Sequence, residues 1–529
     1  MSPEPDQSRM KKGLGLDALA TGASSMLGVG ASVVLDAIVV ACFGLGSKTD
    51  SYFIALTVPM VLITMLQLQA SKVVQPLFIN LRENAGEKEG WRFLDLAITM
   101  SIGAVAFLVV AGIVLSPALI HVQAPGFTGE ARNVATNLSR WFFLVLLLYC
   151  PIAVMRVALN VLGDFALPAS MKAVQSLFNI FFVVTLAQSL GVSALALGMF
   201  AGAVFQIVMY YLALRRKGYR FRLHFSFDHP ELLKGIRMMA FPLAGHFTGM
   251  GVEVLNNYLG SLLGPGSVSA LRFATRIIES VSGTFVYCII TAVAPAITTC
   301  LSSRDYSGAK EKMREGVRLL LLVTIPLSAW LFLMREPVIA LIYQRMSFSA
   351  ADTLLVANVL TLTIPYIFFS PLLGLAELVF FGDCDTRTPF LGSVSVSFSY
   401  VILAVAMFSR LGIYALPVAR SLSYLGGSIL MLYLAHRRIG GMRLRMLSRS
   451  FGRILLACVA MIVPIILLRT VVNSMGFDGV LLRILSIGPP SMLGGGAFVV
   501  VLYWVGLLDV PTLRALPMVG KWLVGNRLR

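Results

Sequence analysis

The sequence predicts an all-α polytopic membrane protein with about 14 transmembrane helices, arranged as two pseudo-symmetric six-helix lobes plus two C-terminal helices. Three observations lead to this prediction. The 529-residue chain is 57% hydrophobic and 13% charged, whereas a soluble domain carries about 25% charged residues. Apolar segments long enough to cross a bilayer recur along the whole chain. Short motifs also recur at an offset of about 220 residues, far longer than the period of a solenoid repeat.

The apolar segments indicate where the helices lie and how the chain is divided. We predict spans at 16–45, 51–80, 93–120, 134–162, 169–190, 192–214, 237–262, 267–300, 318–343, 353–381, 390–409, 411–436, 454–472 and 484–508. The corresponding domains are an N-terminal six-helix lobe at 1–214, a basic cytoplasmic linker at 215–236, a C-terminal six-helix lobe at 237–436, and a final part at 437–529 with two further helices and a basic cytoplasmic tail.

Three motif pairs carry the internal repeat. They are Gly44-Leu45-Gly46-Ser47 and Gly264-Pro265-Gly266-Ser267, Gly163-Asp164 and Gly382-Asp383, and Leu190-Gly191 and Leu411-Gly412. Each lobe has an even number of spans, so both lobes insert in the same sense. Parallel repeats of this kind are related by an axis along the membrane normal, and the cargo site of such a transporter lies between them. The repeat therefore predicts a transporter with two lobes around a central cavity.

The formal net charge of +18 is concentrated in loops. In a soluble protein this charge would favour a nucleic-acid partner. Here Lys and Arg gather in the segments 215–237, 304–318 and 437–453, which is the pattern of cytoplasmic loops. We therefore expect both termini in the cytoplasm and no nucleic-acid partner.

The sequence contains no pattern typical of an enzyme. No P-loop is present, so ATP hydrolysis by this chain is not expected. The six cysteines are scattered without a C-x-x-C, and no His/Cys spacing typical of a metal site occurs. We expect no catalytic activity, no cofactor and no metal.

Several charged residues fall inside the predicted spans, where each one costs a few kcal/mol on insertion scales and so calls for a function or a partner. They are Asp36, Lys72, Arg140, Arg156, Lys172, Glu253, Arg272, Arg276, Glu279, Glu377 and Arg420. Three of them, Arg140, Lys172 and Arg272, lie near span ends. Their side chains have an alternative role, which is to extend towards the membrane surface.

Two pairs of these charges have competing interpretations. Arg276 and Glu279 are three residues apart on one helix face, so they either neutralise each other or line a cavity. Asp36 and Lys72 either contribute to a cargo site or pair across the first two spans.

Several motifs resemble one membrane protein family. The matching elements are Asp36-Ala37-Ile38-Val39, Phe43-Gly44-Leu45-Gly46 with Thr49-Asp50 and Phe53, Ala124-Pro125-Gly126-Phe127, Arg276 with Glu279, Ser282 and Gly283, and Asp385-Thr386-Arg387-Thr388-Pro389. In this order and spacing they resemble the MurJ/MviN family, lipid II flippases of the multidrug/oligosaccharidyl-lipid/polysaccharide exporter superfamily. The resemblance implies 14 helices in a 6+6+2 arrangement and a lipid-linked cargo.

The chain departs from the family pattern in its first lobe. Leu35 and Ile63 stand where the family places arginines that are thought to hold the cargo pyrophosphate, whereas Arg276 in the second lobe matches. Replacing an arginine that makes bidentate phosphate contacts by leucine is not conservative. The resemblance therefore implies a weakened cation cluster in the first lobe.

The resemblance implies a flippase that moves an undecaprenyl-pyrophosphate-linked glycan across the bacterial inner membrane by alternating access. The expected partners are this glycolipid, the bilayer, a coupling ion that the sequence leaves open, and enzymes of envelope biosynthesis. The candidate substrate-binding residues are Arg276, Arg272 and Lys72, and the candidate supporting or gating residues are Asp36, Asp50 and Glu279. The alternatives are an exopolysaccharide repeat-unit flippase, a drug or cation exporter of the same superfamily, and a non-transporting membrane scaffold.

Overall fold

A computed structural model of the protein describes residues 7–222, 247–383, 385–441, 444–475 and 479–507. Every regular element in these ranges is helical. The elements of the first part of the chain are α1 (Gln7–Phe43), α2 (Ser47–Gln69), α3 (Gln75–Asn84), α4 (Glu87–Gln123), α5 (Gly129–Val161), α6 (Ala166–Leu190) and α7 (Ser193–Arg216).

The later part of the described chain continues in the same way. Its elements are α8 (247–261), α9 (Ser267–Val281), α10 (Tyr287–Ser302), α11 (Tyr306–Ile342), α12 (Ala350–Gly382), α13 (Arg387–Leu411), α14 (Ala415–Arg438), α15 (Leu444–Ser474) and α16 (Gly479–Trp504). A short 3₁₀ segment, Gly412–Tyr414, joins α13 to α14.

Eleven helical runs within the described residues are long and apolar enough to cross a membrane. One of them, Arg387–Arg438, contains the two predicted spans 390–409 and 411–436, because the 3₁₀ segment leaves no gap between α13 and α14. The predicted span at 267–300 is present but is divided into α9 and α10. The predicted span at 237–262 is seen as α8, and its first ten residues lie outside the described part. The all-helical membrane fold class predicted from the sequence is confirmed, and the number of 14 spans stays a prediction.

Two helical runs, one in each half of the sequence repeat, are each interrupted by one turn of π-helix. Ala70–Val74 separates α2 from α3, and Ser282–Val286 separates α9 from α10. Both runs begin just after the repeated Gly-x-Gly turn, at Ser47 and Ser267. A π-turn is rare and frequently marks a functional position in a helix.

The chain forms two compact units. The first contains the residues up to Phe273 together with Ile342–Asp352, and the second contains Ala274–Leu341 and the residues from Thr353 onwards. The first unit thus includes α8 and the start of α9 in addition to the six spans predicted for the N-terminal lobe. The division of the chain into two functional lobes stays a prediction.

The first unit is built around α5. In the most apolar stretch of this helix, 78% of the residues are buried. Helices α2, α4 and α7 pack against it, and Phe142, Val145 and Leu146 of α5 are fully shielded in the apolar core. Gly112 permits the close approach of α4, because a methyl group there would overlap the Phe143 ring. A helix with apolar side chains on all faces is expected to be central in its bundle.

The second unit uses small residues in the same way. Gly427 of α14 lies against Val396 of α13, and Gly392 of α13 lies against Met431 of α14. Gly494 allows α16 to approach Ile465 on α15. Because lipid tails compete equally for apolar side chains, helices in a membrane associate through such close contacts.

Candidate functional site

Arg272, one of the three predicted substrate-binding cations, is part of a polar network inside the first unit. Its Nη1 lies 3.0 Å from Glu253 Oε2 on α8, and its Nη2 donates to Thr57 Oγ1 on α2 at 3.0 Å. The side chains of Arg272 and Glu253 are 31% and 25% exposed. Arg272 is therefore paired with a carboxylate.

The network extends to two further polar residues. Asn257 on α8 donates through Nδ2 to Thr57 Oγ1 at 2.8 Å and to Gln123 Oε1, at the end of α4, at 3.2 Å. Asn257 is 1% exposed and Gln123 is 3% exposed. Most buried polar groups in native structures are hydrogen-bonded, and these bonds offset part of the cost of burying Asn257 and Gln123. Four helices, α2, α4, α8 and α9, are thus linked by one set of hydrogen bonds.

Asp50, a predicted gating residue, bonds to the start of α9. Its carboxylate accepts hydrogen bonds from the backbone N–H of Gly266 at 2.6 Å and of Ser269 at 2.7 Å. Asp50 is 0% exposed. The first N–H groups of a helix have no partner within it, and a carboxylate there also benefits from the helix dipole. The two copies of the repeated glycine turn are therefore bonded together, since Asp50 follows the first turn and Gly266 belongs to the second.

The Ala124–Phe127 loop lies next to this cap. Gly126 donates to Ser261 Oγ at 3.4 Å, and a methyl group at Gly126 would overlap the Ser261 carbonyl. The Phe127 side chain packs with Ile54 and Val268 in a small apolar cluster. The family-like motif thus has a structural explanation, because only glycine fits against α8 at this position.

The remaining predicted site residues lie on three elements of the chain. Asp36 is half-buried on α1, Lys72 is exposed in the first π-turn, and Arg276 is half-buried on α9, where Glu279 is exposed. Their contacts with a cargo headgroup stay a prediction.

The two positions where the resemblance implies arginine are filled by core residues. Leu35 is 9% exposed and packs with Val39, Val183 and Leu195. Ile63 is 1% exposed and belongs to the core around α5. An unpaired charge at either position would be buried among apolar side chains, at a large cost in free energy.

A buried amide chain in the first unit was not predicted from the sequence. Gln206 on α7 donates to Gln175 Oε1 on α6 at 2.8 Å, and Gln175 donates to Asn179 Oδ1 at 3.4 Å. Asn179 and Gln206 are 8% and 6% exposed. The available signal was the presence of amide side chains in otherwise apolar spans, which are rare in membrane helices and mark helix contacts.

The second unit contains an arginine that contacts aromatic rings. The Arg420 guanidinium on α14 lies 5.2 Å from the centre of the Tyr366 ring, and its Nη1 is 3.5 Å from Thr275 Oγ1. Tyr366 in turn meets Tyr424 edge-on, with ring centres 4.6 Å apart. A cation over an aromatic face is an effective way to accommodate charge where water is scarce.

The Asp385–Pro389 loop forms the start of α13. Thr388 donates to Asp385 through both its hydroxyl, at 2.7 Å, and its backbone N–H, at 3.1 Å. These bonds hold the pKa of Asp385 below its usual range. The carboxylate satisfies N–H groups at a helix start, so this motif, like the Ala124–Phe127 loop, has a local structural role.

We predict that Arg272 and Glu253 are energetically coupled. Replacing either one by glutamine leaves the other charge without its partner, so each single variant should lower thermal stability in detergent more than the double variant Arg272→Gln/Glu253→Gln does. A coupling energy of about 1 kcal/mol or more is expected for charges in direct contact. Additive losses in the three melting measurements would show that the 3.0 Å contact contributes nothing.

The fold is shared with solved membrane proteins. The chain has the fold of solved transporters of the MOP superfamily: a structure described as an inward-facing multidrug resistance MATE family transporter of that superfamily matches with a TM-score of 0.65 and 15% identity, over 79% of this chain and 94% of that chain. The chain belongs to the MurJ family, because the family model described as "Lipid II flippase MurJ" matches residues 39–486. The family predicted from the sequence motifs is therefore confirmed.

Individual relatives agree with this assignment. A solved structure described as "Lipid II flippase MurJ, inward closed conformation" matches with a TM-score of 0.76 and 19% identity, over 93% of this chain and 100% of that chain. A probable lipid II flippase MurJ of Buchnera aphidicola subsp. Acyrthosiphon pisum is 25% identical over 62% of this chain, and the match spans 65% of that relative's length. One of Aquifex aeolicus is 25% identical over 74% of this chain and 77% of its own length.

Proposed function

We propose that this protein is a flippase that moves lipid II, an undecaprenyl-pyrophosphate-linked peptidoglycan precursor, across the bacterial inner membrane. The observation that carries the proposal is the family match over residues 39–486, which covers both copies of the sequence repeat. The internal sequence repeat also supports it, since transporters that work by alternating access are commonly built from two repeats.

The headgroup would be held by cations within the spans. Arg276 is half-buried on α9 and supplies fixed charge with several donors, which suits a diphosphate. Arg272 is already engaged by Glu253, so its part in binding requires that this pair opens or accepts phosphate as a third member. The polyprenyl tail would stay in the lipid. The coupling ion is left open, and enzymes of envelope biosynthesis are the expected protein partners.

A transport assay with purified protein tests the proposal. The protein would be reconstituted into liposomes containing lipid II, and the fraction of lipid II reached by an external modifying enzyme would be followed over time. We expect a clear acceleration over empty liposomes. Arg140→Gln is a suitable control variant, because Arg140 is an exposed cation on α5 that interacts only weakly with Asn137 at 3.4 Å.

Three other results of this assay would indicate a different function. Movement of an exopolysaccharide repeat unit but not of lipid II would change the cargo. Export of a cationic drug would make the protein an exporter of the same superfamily, and no movement of any tested substrate, with the fold intact, would favour a scaffold.

We also predict the membrane topology from the positions of Lys and Arg. Both termini and the loop after α7 should face the cytoplasm. Arg222 is an exposed residue of that loop, and a cysteine placed there should react with a membrane-impermeant reagent only after the membrane is opened. Glu130 is exposed at the start of α5, in the part predicted to face away from the cytoplasm. A cysteine placed there should react in intact cells. Reversal of the two results would contradict the orientation.

A further inference from the structure

The junction between α2 and α5 contains a half-buried cation that the proposed function does not yet use. We define the π-turn junction as residues Gln67–Val74 together with Arg156 of α5. Arg156 Nη2 donates to the Gln67 carbonyl at 3.1 Å, and its Nε is buried without a hydrogen-bond partner in the described part of the protein. Ala70 packs against Ala153 and Val157, on both sides of Arg156.

The charge of Arg156 is not balanced by a nearby carboxylate. Among the described residues, no Asp or Glu oxygen lies within 4.0 Å of its guanidinium. The nearby group on α7 is the phenol of Tyr210, which is 1% exposed and neutral. A charge inside a membrane protein is expected to be paired or to serve a function. A water molecule would satisfy the Nε–H but would leave the positive charge unbalanced.

A second unpartnered polar group lies in the same junction. Gln69 is 1% exposed, and within the described residues neither its Oε1 nor its Nε2 has a hydrogen-bond partner. It directly precedes Ala70, the residue that packs on either side of Arg156. A buried amide without partners is costly in free energy, and this one lies where helical geometry changes to a π-turn, a frequent feature of functional positions.

Two further properties suit this junction to an anion. The Arg156 side chain as a whole is half-buried, although its Nε is enclosed. Lys72, in the same π-turn, is exposed. The junction therefore contains three groups that can bind an anion. The Gln69 amide N–H and the Lys72 ammonium come from the segment Gln67–Val74, and the guanidinium N–H comes from Arg156 of α5. Arginine and lysine together suit phosphate because they supply directed donors and a point charge.

We propose that the π-turn junction binds a phosphate group of the lipid-linked cargo, with Arg156 Nε and Gln69 Nε2 as hydrogen-bond donors and Lys72 as a second cation. This inference rests on the proposed function and deepens it, since it gives the candidate residue Lys72 two partners in the first unit, Arg156 and Gln69, that the family resemblance does not mark. It also gives the first unit a cation although Leu35 and Ile63 are apolar core residues.

The test is the binding of three soluble probes to the full-length protein in detergent. The probes are farnesyl diphosphate, farnesyl monophosphate and farnesol, and the dissociation constants are measured for the unmodified protein, Arg156→Gln, Gln69→Leu and the control Arg140→Gln. We expect the unmodified protein to prefer the phosphorylated probes. Arg156→Gln should weaken diphosphate binding about tenfold or more, as expected for a lost charged hydrogen bond. Farnesol binding should be unchanged, and Arg140→Gln should behave like the unmodified protein.

The Gln69→Leu variant distinguishes ligand binding from a structural role. Leucine of similar size needs no hydrogen bond, so the variant should unfold at the same or a higher temperature, while diphosphate binding weakens several-fold. If Arg156→Gln does not fold, Arg156→Lys keeps the charge and should bind diphosphate with intermediate affinity.

The possible failures separate this inference from the proposed function. Lipid II movement by the unmodified protein, with equal diphosphate affinity in the unmodified protein, Arg156→Gln and Gln69→Leu, would overturn the junction site and leave the flippase proposal standing. Arg156-dependent diphosphate binding without lipid II movement would support the phosphate site and overturn the proposal that lipid II is the cargo. Equal affinity for farnesol and farnesyl diphosphate would overturn the site.

Discussion

Replacing Asp50 by alanine is expected to lower the free energy of unfolding by about 2–4 kcal/mol and to reduce the amount of protein in the membrane. The physical reason is that two backbone N–H groups at the start of α9, those of Gly266 and Ser269, donate to this fully buried carboxylate. A hydrogen bond to a charged group contributes about 1.5–3 kcal/mol to stability. A buried donor that is left without an acceptor destabilises the protein further by its desolvation cost. Thermal melting in detergent and the amount of membrane-inserted protein measure the effect.

A matched control is available at the start of α12. Asp352 accepts from the Ser349 backbone N–H and hydroxyl at 2.8 Å, in an exposed position. Asp352 is the third residue of α12 and bonds back to the capping residue Ser349, so Asp352→Ala removes half of a capping box and should cost about 1 kcal/mol or less. Asp50→Asn keeps one oxygen acceptor and should lie between the unmodified protein and Asp50→Ala. Equal losses in the free energy of unfolding for Asp50→Ala and Asp352→Ala would contradict the argument that burial of Asp50 strengthens its contribution to stability.

Replacing Arg276 by alanine is expected to abolish lipid II movement while the amount of protein in the membrane stays near normal. The half-buried guanidinium is the cation of α9 that the proposed function assigns to the diphosphate. Arg276→Lys should be partly active, because a lysine supplies a point charge without bidentate geometry. The measurements are the liposome assay and rescue of cells depleted of their own lipid II flippase.

Arg410→Ala serves as the control for Arg276→Ala, since Arg410 is exposed at the end of α13 and should tolerate the change. Full activity of Arg276→Ala would remove Arg276 from the cargo site. A collapse in protein amount, with activity per molecule retained, would instead indicate a structural pair with Glu279.

The helices were predictable because apolar length alone decides whether a segment can span a membrane. The predicted span at 134–162 is seen as α5 (Gly129–Val161), and the one at 192–214 as α7 (Ser193–Arg216). Hydropathy says nothing about hydrogen-bond pattern within a span, so the interruption of the 267–300 span by the Ser282–Val286 π-turn was not predictable.

The polar network was only half predictable. The cost of intramembrane charge singled out Arg272 and Glu253, but their partnership depends on how α8 and α9 pack. Thr57 and Asn257 are neutral, and their hydrogen bond joins residues 200 positions apart. The resemblance marked Asp50 as part of a motif, but its role as the cap of α9 became evident only from the bonds to Gly266 and Ser269.

The cap of α9 has a consequence for how the protein is made. Asp50 and Gly266 are separated by 216 residues, and chain synthesis proceeds at about 5–20 residues per second. Asp50, in the first turn of α2, therefore leaves the ribosome about 10–40 s before Gly266 and Ser269, whose backbone N–H groups will donate hydrogen bonds to it. During that interval Asp50 must be hydrated, protonated or held by the insertion machinery, because an ionised carboxylate is costly in lipid without a partner. Correct assembly of the first unit thus depends on an event that follows the insertion of the first seven predicted spans.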